Sequence, residues 1–314
     1  MTRRSNVKRW KSIMAIGPIA GLVMWSGHVG AATPSTPRTT PGYWLATGFG
    51  STYAFNVPYL GAQLRRISQS ACANGGGLAN PAIPTCFGIS ATSDGQGYWL
   101  GASDYIVQEN RVFWNGSAYP QGATGSCNSA TGMPNYDTVP IVGIAAAPVG
   151  AWIVDSLGEV ISLCHAPVIG SMGAVQLNEQ IVGMAATPDG QGYWLVAADG
   201  GVFSFGAAAF YGSMGNTRLN RPVVGMATTS DGKGYWLVAR DGGVFAFGDA
   251  RFSGSMGGKP LARPMVGIAA NPDGSGYWTV AQDGGVFAFG DAPFLGSASG
   301  QPLDALVVGI TSKG

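Results

Sequence analysis

Charge is scarce in this sequence. Asp, Glu, Lys and Arg make up 11% of its 314 residues, less than half of the roughly 25% usual in soluble domains. Seventeen basic residues are matched by sixteen acidic ones for a net charge of +1, which excludes the basic balance of a nucleic-acid-binding domain. Only two histidines and four cysteines are present. A zinc site needs three or four ligands, and Cys164 with His165 is the only adjacent pair. No G-x-S-x-G elbow is present to support a Ser-His-Asp site. The acids outside the repeated turns, Glu109, Asp137, Asp155, Glu159, Glu179 and Asp304, are scattered singly, so no general acid and base can be paired. These absences argue for a protein with no metal, no cofactor and no catalysis. Disorder and collagen are excluded too: 46% of residues are hydrophobic and 11% aromatic, enough apolar surface to offset chain entropy by burial. The 51 glycines do not recur every third residue.

Five of the seventeen basic residues stand at the front. Arg3, Arg4, Lys8, Arg9 and Lys11 precede an uncharged apolar stretch, Ser12 to Ala32, that ends in Val-Gly-Ala-Ala. This is the pattern of a secretory signal peptide over residues 1–32. Cleavage is expected at Ala31 or Ala32. The alternative is a retained anchor, since about 20 apolar residues can span a bilayer, although Gly17, Pro18, Gly21 and Gly27 weaken it as a permanent helix. Thr2 to Lys8 (TRRSNVK) resembles a twin-arginine export signal, with Asn6 where that pattern prefers an aromatic; an ordinary basic leader is the other reading. Removal of 1–32 leaves twelve basic and sixteen acidic residues, a charge near −4. Residues 33–41 (TPSTPRTTP) form a Pro/Thr-rich linker, extended and without apolar periodicity.

Residues 42–314 are built of repeats. Trp152, Trp194, Trp236 and Trp278 are each 42 residues apart, with Trp99 and Trp44 lying 53 and 55 residues further upstream. The clearest unit, Pro222 to Gly257, divides into four strand-like runs: Val223–Thr228, Tyr235–Ala239, Val244–Phe247 and Arg251–Met256. Between them stand SDGKG, RDGG and GD, and Asp-Gly between apolar runs is a strong hairpin signal. Each unit is therefore expected to be a four-stranded antiparallel meander. Its strands are apolar on both faces, so neighbouring copies must cover them, which radial stacking of blades does. The first copy starts directly at Gly42-Tyr43-Trp44 without the inner run, and the chain ends in Leu306–Thr311 with no Gly-Tyr-Trp after it. The expected fold is an all-β, six-bladed β-propeller closed by the C-terminal strand pairing into blade one. Closure leaves no open sheet edge.

The string Gly234–Ala250 (GYWLVARDGGVFAFGDA) resembles a repeat of exported actinobacterial-type proteins, found alone or joined to cell-wall hydrolases and peptidases. The turn before the second strand is similar to that of TolB-like propellers. The resemblance spans 42–314, most clearly 181–298, and implies a propeller at the cell surface with no catalytic residues to carry over. Ser230 to Trp236 is also similar to the Asp-box of sialidase propellers, which is itself structural and implies no sialidase activity.

Ten of the sixteen acids fall in repeat turns, among them Asp94, Asp104, Asp189, Asp199, Asp231, Asp241, Asp273 and Asp283. Each is expected to bond its own turn backbone, since one carboxylate per turn is too few oxygens for calcium. His165 replaces the turn Asp of the third unit, and His28 leaves with the signal peptide. Cys72, Cys86, Cys127 and Cys164 all lie in the divergent first half. In an exported chain an even count reads as disulfides. Cys72 with Cys86 closes a 13-residue loop, stabilising by about 3 kcal/mol on the chain-entropy account. Cys127 with Cys164 follows by elimination, but the two fall at points expected on opposite faces, and that pairing stays open.

Binding is expected on loops that break the repeat: Gly61–Thr85, the extra Tyr105–Arg111 segment and Ala123–Val139. Arg65, Arg66, Arg218, Arg221, Lys259 and Arg263 occupy the connections between units and should line one rim. Trp114 and Tyr136, with Tyr105 and Tyr119, stand near the divergent loops and could stack on sugars. The sequence points to a non-catalytic module that binds an envelope protein, with lectin-like binding of cell-wall polysaccharide as the alternative and a propeller-type hydrolase as the least supported reading.

Overall fold

The computed structural model describes residues 41–48, 51–57, 86–92, 96–104, 109–116, 139–164, 166–167 and 169–313, with backbone alone for 86–87, 102–104 and 109–116. The expected signal peptide and all but the last residue of the linker lie outside these residues. The described residues belong to a compact unit, Thr39–Gly314, contain no helix and form eighteen strands.

The strands make six antiparallel sheets of three. In chain order they are β1 (Tyr43–Thr47), β2 (Thr52–Phe55), β3 (Cys86–Ala91), β4 (Gly97–Asp104), β5 (Glu109–Gly116), β6 (Ile141–Ala146), β7 (Ala151–Asp155) and β8 (Val160–Leu163). They continue with β9 (Ile181–Ala186), β10 (Gly192–Ala197), β11 (Val202–Gly206), β12 (Val223–Thr228), β13 (Gly234–Ala239) and β14 (Val244–Gly248). The last four are β15 (Met265–Ala270), β16 (Gly276–Ala281), β17 (Val286–Gly290) and β18 (Val307–Ser312). Five sheets take consecutive strands. The sixth joins the chain ends, with β18 antiparallel to β1 in the register Tyr43↔Ser312 to Ala46↔Gly309.

In the third to sixth units, among the described residues, the expected fourth strand is not there, because its backbone is engaged elsewhere. Trp152, Trp194, Trp236 and Trp278 each donate their indole N–H, at 2.8 Å, to the carbonyl fifteen residues on, Pro167, Ala209, Arg251 and Pro293. The indole can reach past the third strand because the residue opposite it is small: Ser162, Ser204, Ala246 and Ala288. From the other side, the tyrosine of the following sheet takes the next groups along. Tyr277 accepts the Ser253 N–H at 3.2 Å and donates to the Gly254 carbonyl at 2.5 Å. Tyr235 does the same with Tyr211 and Gly212, Tyr193 bonds both backbone groups of Gly170, and Tyr43 donates to Gly296 at 2.6 Å. Desolvation raises the phenol pKa of Tyr193, Tyr235 and Tyr277 and pushes that of Tyr43 to about 12, so these groups stay neutral donors. Gly254 also has φ of +124°, and a Cβ there would lie 3.0 Å from the Phe289 ring of the next sheet. The fourth run is thus a filler clamped between sheets rather than a strand.

The same aromatics form the core between sheets. Ring centroids of Trp and the next sheet's Tyr are 5.2 Å apart for Trp152–Tyr193, 5.7 Å for Trp194–Tyr235, 5.4 Å for Trp236–Tyr277, 5.2 Å for Trp278–Tyr43 and 6.0 Å for Trp44–Tyr98. Tilted pairs at such distances add about 0.5–1.5 kcal/mol each beyond area burial. The first strands of successive sheets lie side by side at glycine. A Cβ on Gly183 would sit 3.9 Å from the Gly225 Cα, and one on Gly225 3.7 Å from the Gly267 Cα. One on Gly309 would sit 3.9 Å from the Gly88 Cα. Where alanine gives way to a hydroxyl, that hydroxyl ties neighbours together: the Ala91 N–H donates to Thr311 Oγ1 and the Ala146 N–H to Ser90 Oγ.

One core position breaks this consistency. Thr279 is buried where β1, β10 and β13 carry leucine, and its hydroxyl has no hydrogen-bond partner. Thr279→Val is expected to stabilise the fold by about 1 kcal/mol, and Tyr277→Phe, which orphans two backbone groups, to destabilise it by about 1–3 kcal/mol. Urea unfolding of both variants checks the pair; equal midpoints would contradict it.

Candidate binding surface

The turns divide between two ends of the sheets. Turns from first to second strand carry Asp189, Asp231 and Asp273, which accept the N–H groups of Gln191, Lys233 and Ser275. A hydrogen bond from Thr187 is the main cause lowering the Asp189 pKa. The bonds that Asp231 receives from Lys233, backbone first, bring its pKa to about 2. Turns from second to third strand carry Asp199, Asp241 and Asp283, which accept the N–H groups of Gly201, Gly243 and Gly285. These carboxylates complete their own turns.

The end holding the second-to-third turns also receives the connections between sheets, and backbone hydrogen bonds fasten the two together. Met214 N–H donates to Gly200 and Val223 N–H to Ala198; Arg240 N–H donates to Pro222, Met256 N–H to Gly242 and Met265 N–H to Arg240. The turn Ala239–Gly243 is therefore bonded to the connections on both of its sides. This brings together Arg218, Arg221, Lys259 and Arg263, all exposed, as the sequence pattern anticipated. It adds Arg240, also exposed, which sequence reasoning passed over. The signal for it was slight: Arg stands where the equivalent turns have Ala198 and Gln282. Among the described residues none of these five cations is ion-paired; the Lys233–Asp231 pair, at 3.1 Å, belongs to the opposite end. Glu179 is exposed in the preceding connection, and Asp304, in the last one, accepts hydrogen bonds from Thr47 and Ser51.

The extra segment of the second unit proves to be a longer hairpin. Beyond Gly101↔Val112, β4 and β5 continue through Ala102↔Arg111, Ser103↔Asn110 and Asp104↔Glu109, where the other sheets turn at once. Trp114 lies in β5 opposite Trp99, the place of a small residue in the other sheets. Arg65, Arg66, Cys72, Cys127, Tyr136 and His165 lie outside the described residues, as do Asp94, Asp137, Tyr105 and Tyr119.

Asp155 is buried at the end of β7, where it accepts the N–H groups of Leu157 and Glu159; desolvation raises its pKa. Phe210, Phe252 and Phe294 are exposed at equivalent points of three fourth runs, 42 residues apart. Among the described residues no three His, Cys, Asp or Glu side chains gather as a metal site would require.

Cys164 has φ of +51°, at the corner where Gly206, Gly248 and Gly290 have φ of +64° to +68°. A non-glycine residue in the left-handed region costs about 1–2 kcal/mol. Under reducing conditions Cys164→Gly is expected to raise stability by about 1 kcal/mol. A loss on the same substitution under oxidising conditions would identify a bridge at this cysteine; a loss under both would contradict the strain.

No protein-family model matches the chain, and no curated protein does. Among solved structures 673 chains match, so the architecture is widespread and by itself indicates no function. One is a chain in the crystal structure of a nidogen/laminin complex, with TM-score 0.50 and 10% identity over 87% of this chain and 98% of that one. At that identity the likeness concerns the fold, which is propeller-like.

Proposed function

We propose that this chain is an exported, non-catalytic, six-bladed β-propeller, closed by its C-terminal strand, that acts as a protein-binding or scaffolding module at the cell envelope. The observation that carries this reading is a contrast within the molecule. Sheets that repeat one core are joined, at one end, to elements that do not repeat: the long β4–β5 hairpin and the basic loops around Arg240. Differences concentrated on loops of a rigid scaffold are characteristic of recognition surfaces. The propeller-like neighbour in a protein–protein complex fits the same reading. The ring draws support from the β18–β1 pairing and from Trp278 packed on Tyr43 across the chain ends. Export rests on the leader pattern in 1–32, and in an oxidising compartment Cys72 and Cys86 form the expected bridge. Binding of cell-wall polysaccharide is the second reading, favoured by Trp114 standing where the other sheets have a small residue.

Two measurements test this. Removing 306–314 should lower the free energy of unfolding by several kcal/mol, because it strips a sheet of one strand and exposes buried apolar surface; a truncated chain as stable as the whole would end the ring. Crosslinking in envelope fractions should yield a saturable protein partner that is lost when the β4–β5 hairpin is shortened to Asp-Gly-Gly. Saturable binding to wall polysaccharide, abolished by Trp114→Ala, would instead favour the second reading, and turnover of a glycoside or ester would refute a non-catalytic role.

A further inference from the structure

The turn between β13 and β14 lies between two connections, and backbone hydrogen bonds hold the three segments side by side. Arg240 N–H donates to the Pro222 carbonyl at 2.9 Å, and Met265 N–H donates to the Arg240 carbonyl at 3.0 Å. Segments bonded in this way lie about 5 Å apart, as neighbouring strands do. Each carries an exposed arginine: Arg221 beside Pro222, Arg240 itself, and Arg263 two residues before Met265. The three side chains therefore spring from a row about 10 Å long. Arg218 and Lys259, exposed in the same two connections, add to it.

Among the described residues none of these five side chains makes a hydrogen bond or an ion pair, so their donors are open to solvent. Asp199, Asp241 and Asp283, the acids of the adjoining turns, already accept the N–H groups of Gly201, Gly243 and Gly285. Five cations thus stand against three engaged carboxylates.

The positive charge is also bounded. Arg221 and Arg263 occupy the same place, two residues before β12 and β15, and the corresponding residues before β9 and β18 are Glu179 and Ala305. Arg240 in turn has Ala198 and Gln282 as its counterparts. The row belongs to one turn and its two connections, not to the repeated scaffold, and acids stand in the connections beyond it, Glu179 on one side and Asp304 on the other.

That boundary selects the shape of the partner. A flat anionic surface such as a lipid bilayer would meet Glu179 and Asp304 together with the arginines, whereas one extended segment can follow the row and leave both acids outside. Alternate residues of an extended chain point to one face about 6.7 Å apart, so carboxylates on alternate residues cover the row within a short stretch. The planar fork of arginine binds a carboxylate through two parallel hydrogen bonds. Residues 215–222, 239–243 and 257–264 contain no aromatic, which leaves a sugar ring nothing to stack on. Building on the protein-binding reading above, we propose that the row Arg221–Arg240–Arg263 docks an extended, carboxylate-rich segment of the partner protein.

Fluorescence anisotropy of the full chain with a labelled decapeptide of alternating Glu and Ser tests this. Saturable binding is expected at about 0.05 M NaCl, with a dissociation constant that rises at least ~10-fold at about 0.5 M as the Debye length shortens. Arg221→Gln/Arg240→Gln/Arg263→Gln should weaken binding at least ~10-fold. Lys233→Gln/Arg251→Gln/Lys313→Gln, which removes equal charge from the opposite end, should change it by less than ~2-fold. Lysine at the three arginine positions keeps the charge and loses the fork, so its affinity should fall between the two. The three arginine side chains bond nothing within the chain, and an unchanged urea midpoint for the glutamine variant separates lost binding from lost fold. Absence of saturable binding, equal loss in both glutamine variants, or tighter arginine-dependent binding to phosphatidylglycerol vesicles or to polygalacturonate overturns the proposal. An envelope protein that crosslinks to the wild type and to the Arg221→Gln/Arg240→Gln/Arg263→Gln chain alike would also overturn it while leaving the protein-binding reading in place, so the two fail separately.

Discussion

The structure depends on how the fourth run of the third to sixth repeats is held. An indole from its own sheet and a phenol from the next sheet bond successive backbone groups of the same segment, so one stretch of irregular chain carries the link between two sheets. Remove either aromatic and partly buried carbonyl or amide groups lose their partners, which costs more than the packing area alone suggests. The small residue opposite Trp152, Trp194, Trp236 and Trp278, and the glycine beneath the Phe of the next sheet in each case, follow from this arrangement, because larger side chains would keep the rings from reaching the clamped segment.

The arrangement is strict in three sheets and relaxed elsewhere. In β7 the tyrosine position is Ala151, and Trp99 contacts a cluster of aliphatic residues, Ile141, Ile144 and Ile153, instead. Hydroxyl-to-backbone bonds from Ser90 and Thr311 appear at the neighbouring junctions, where the repeat is least regular. At β3–β6 a polar bond thus stands where the tyrosine is missing, while at β18–β3 it adds to the Trp44–Tyr98 pair. Regularity on one side keeps the scaffold stiff, and irregularity on the other provides features that a partner can distinguish.

Much of this was legible in residue order. The 42-residue period located the strands, the Asp-Gly turns located the hairpins, and the unpaired C-terminal run anticipated the β18–β1 pairing. The basic connections were visible as well, though Arg240 was hidden in a turn whose Asp drew the attention. The fourth strand was misread because Arg251–Met256 has strand-like composition, and composition does not reveal that Trp236 and Tyr277 take up its backbone groups.

Local sequence alone determined that the chain is all-β and repetitive, because turn residues and apolar alternation are properties of neighbours along the chain. Only the tertiary structure decided that each of the described sheets has three strands, that five cations share one end, and that β4 and β5 run on past the point where the other hairpins turn. Those outcomes depend on which groups meet after folding. Hydrogen-bond competition and cross-strand register settle them between residues tens of positions apart.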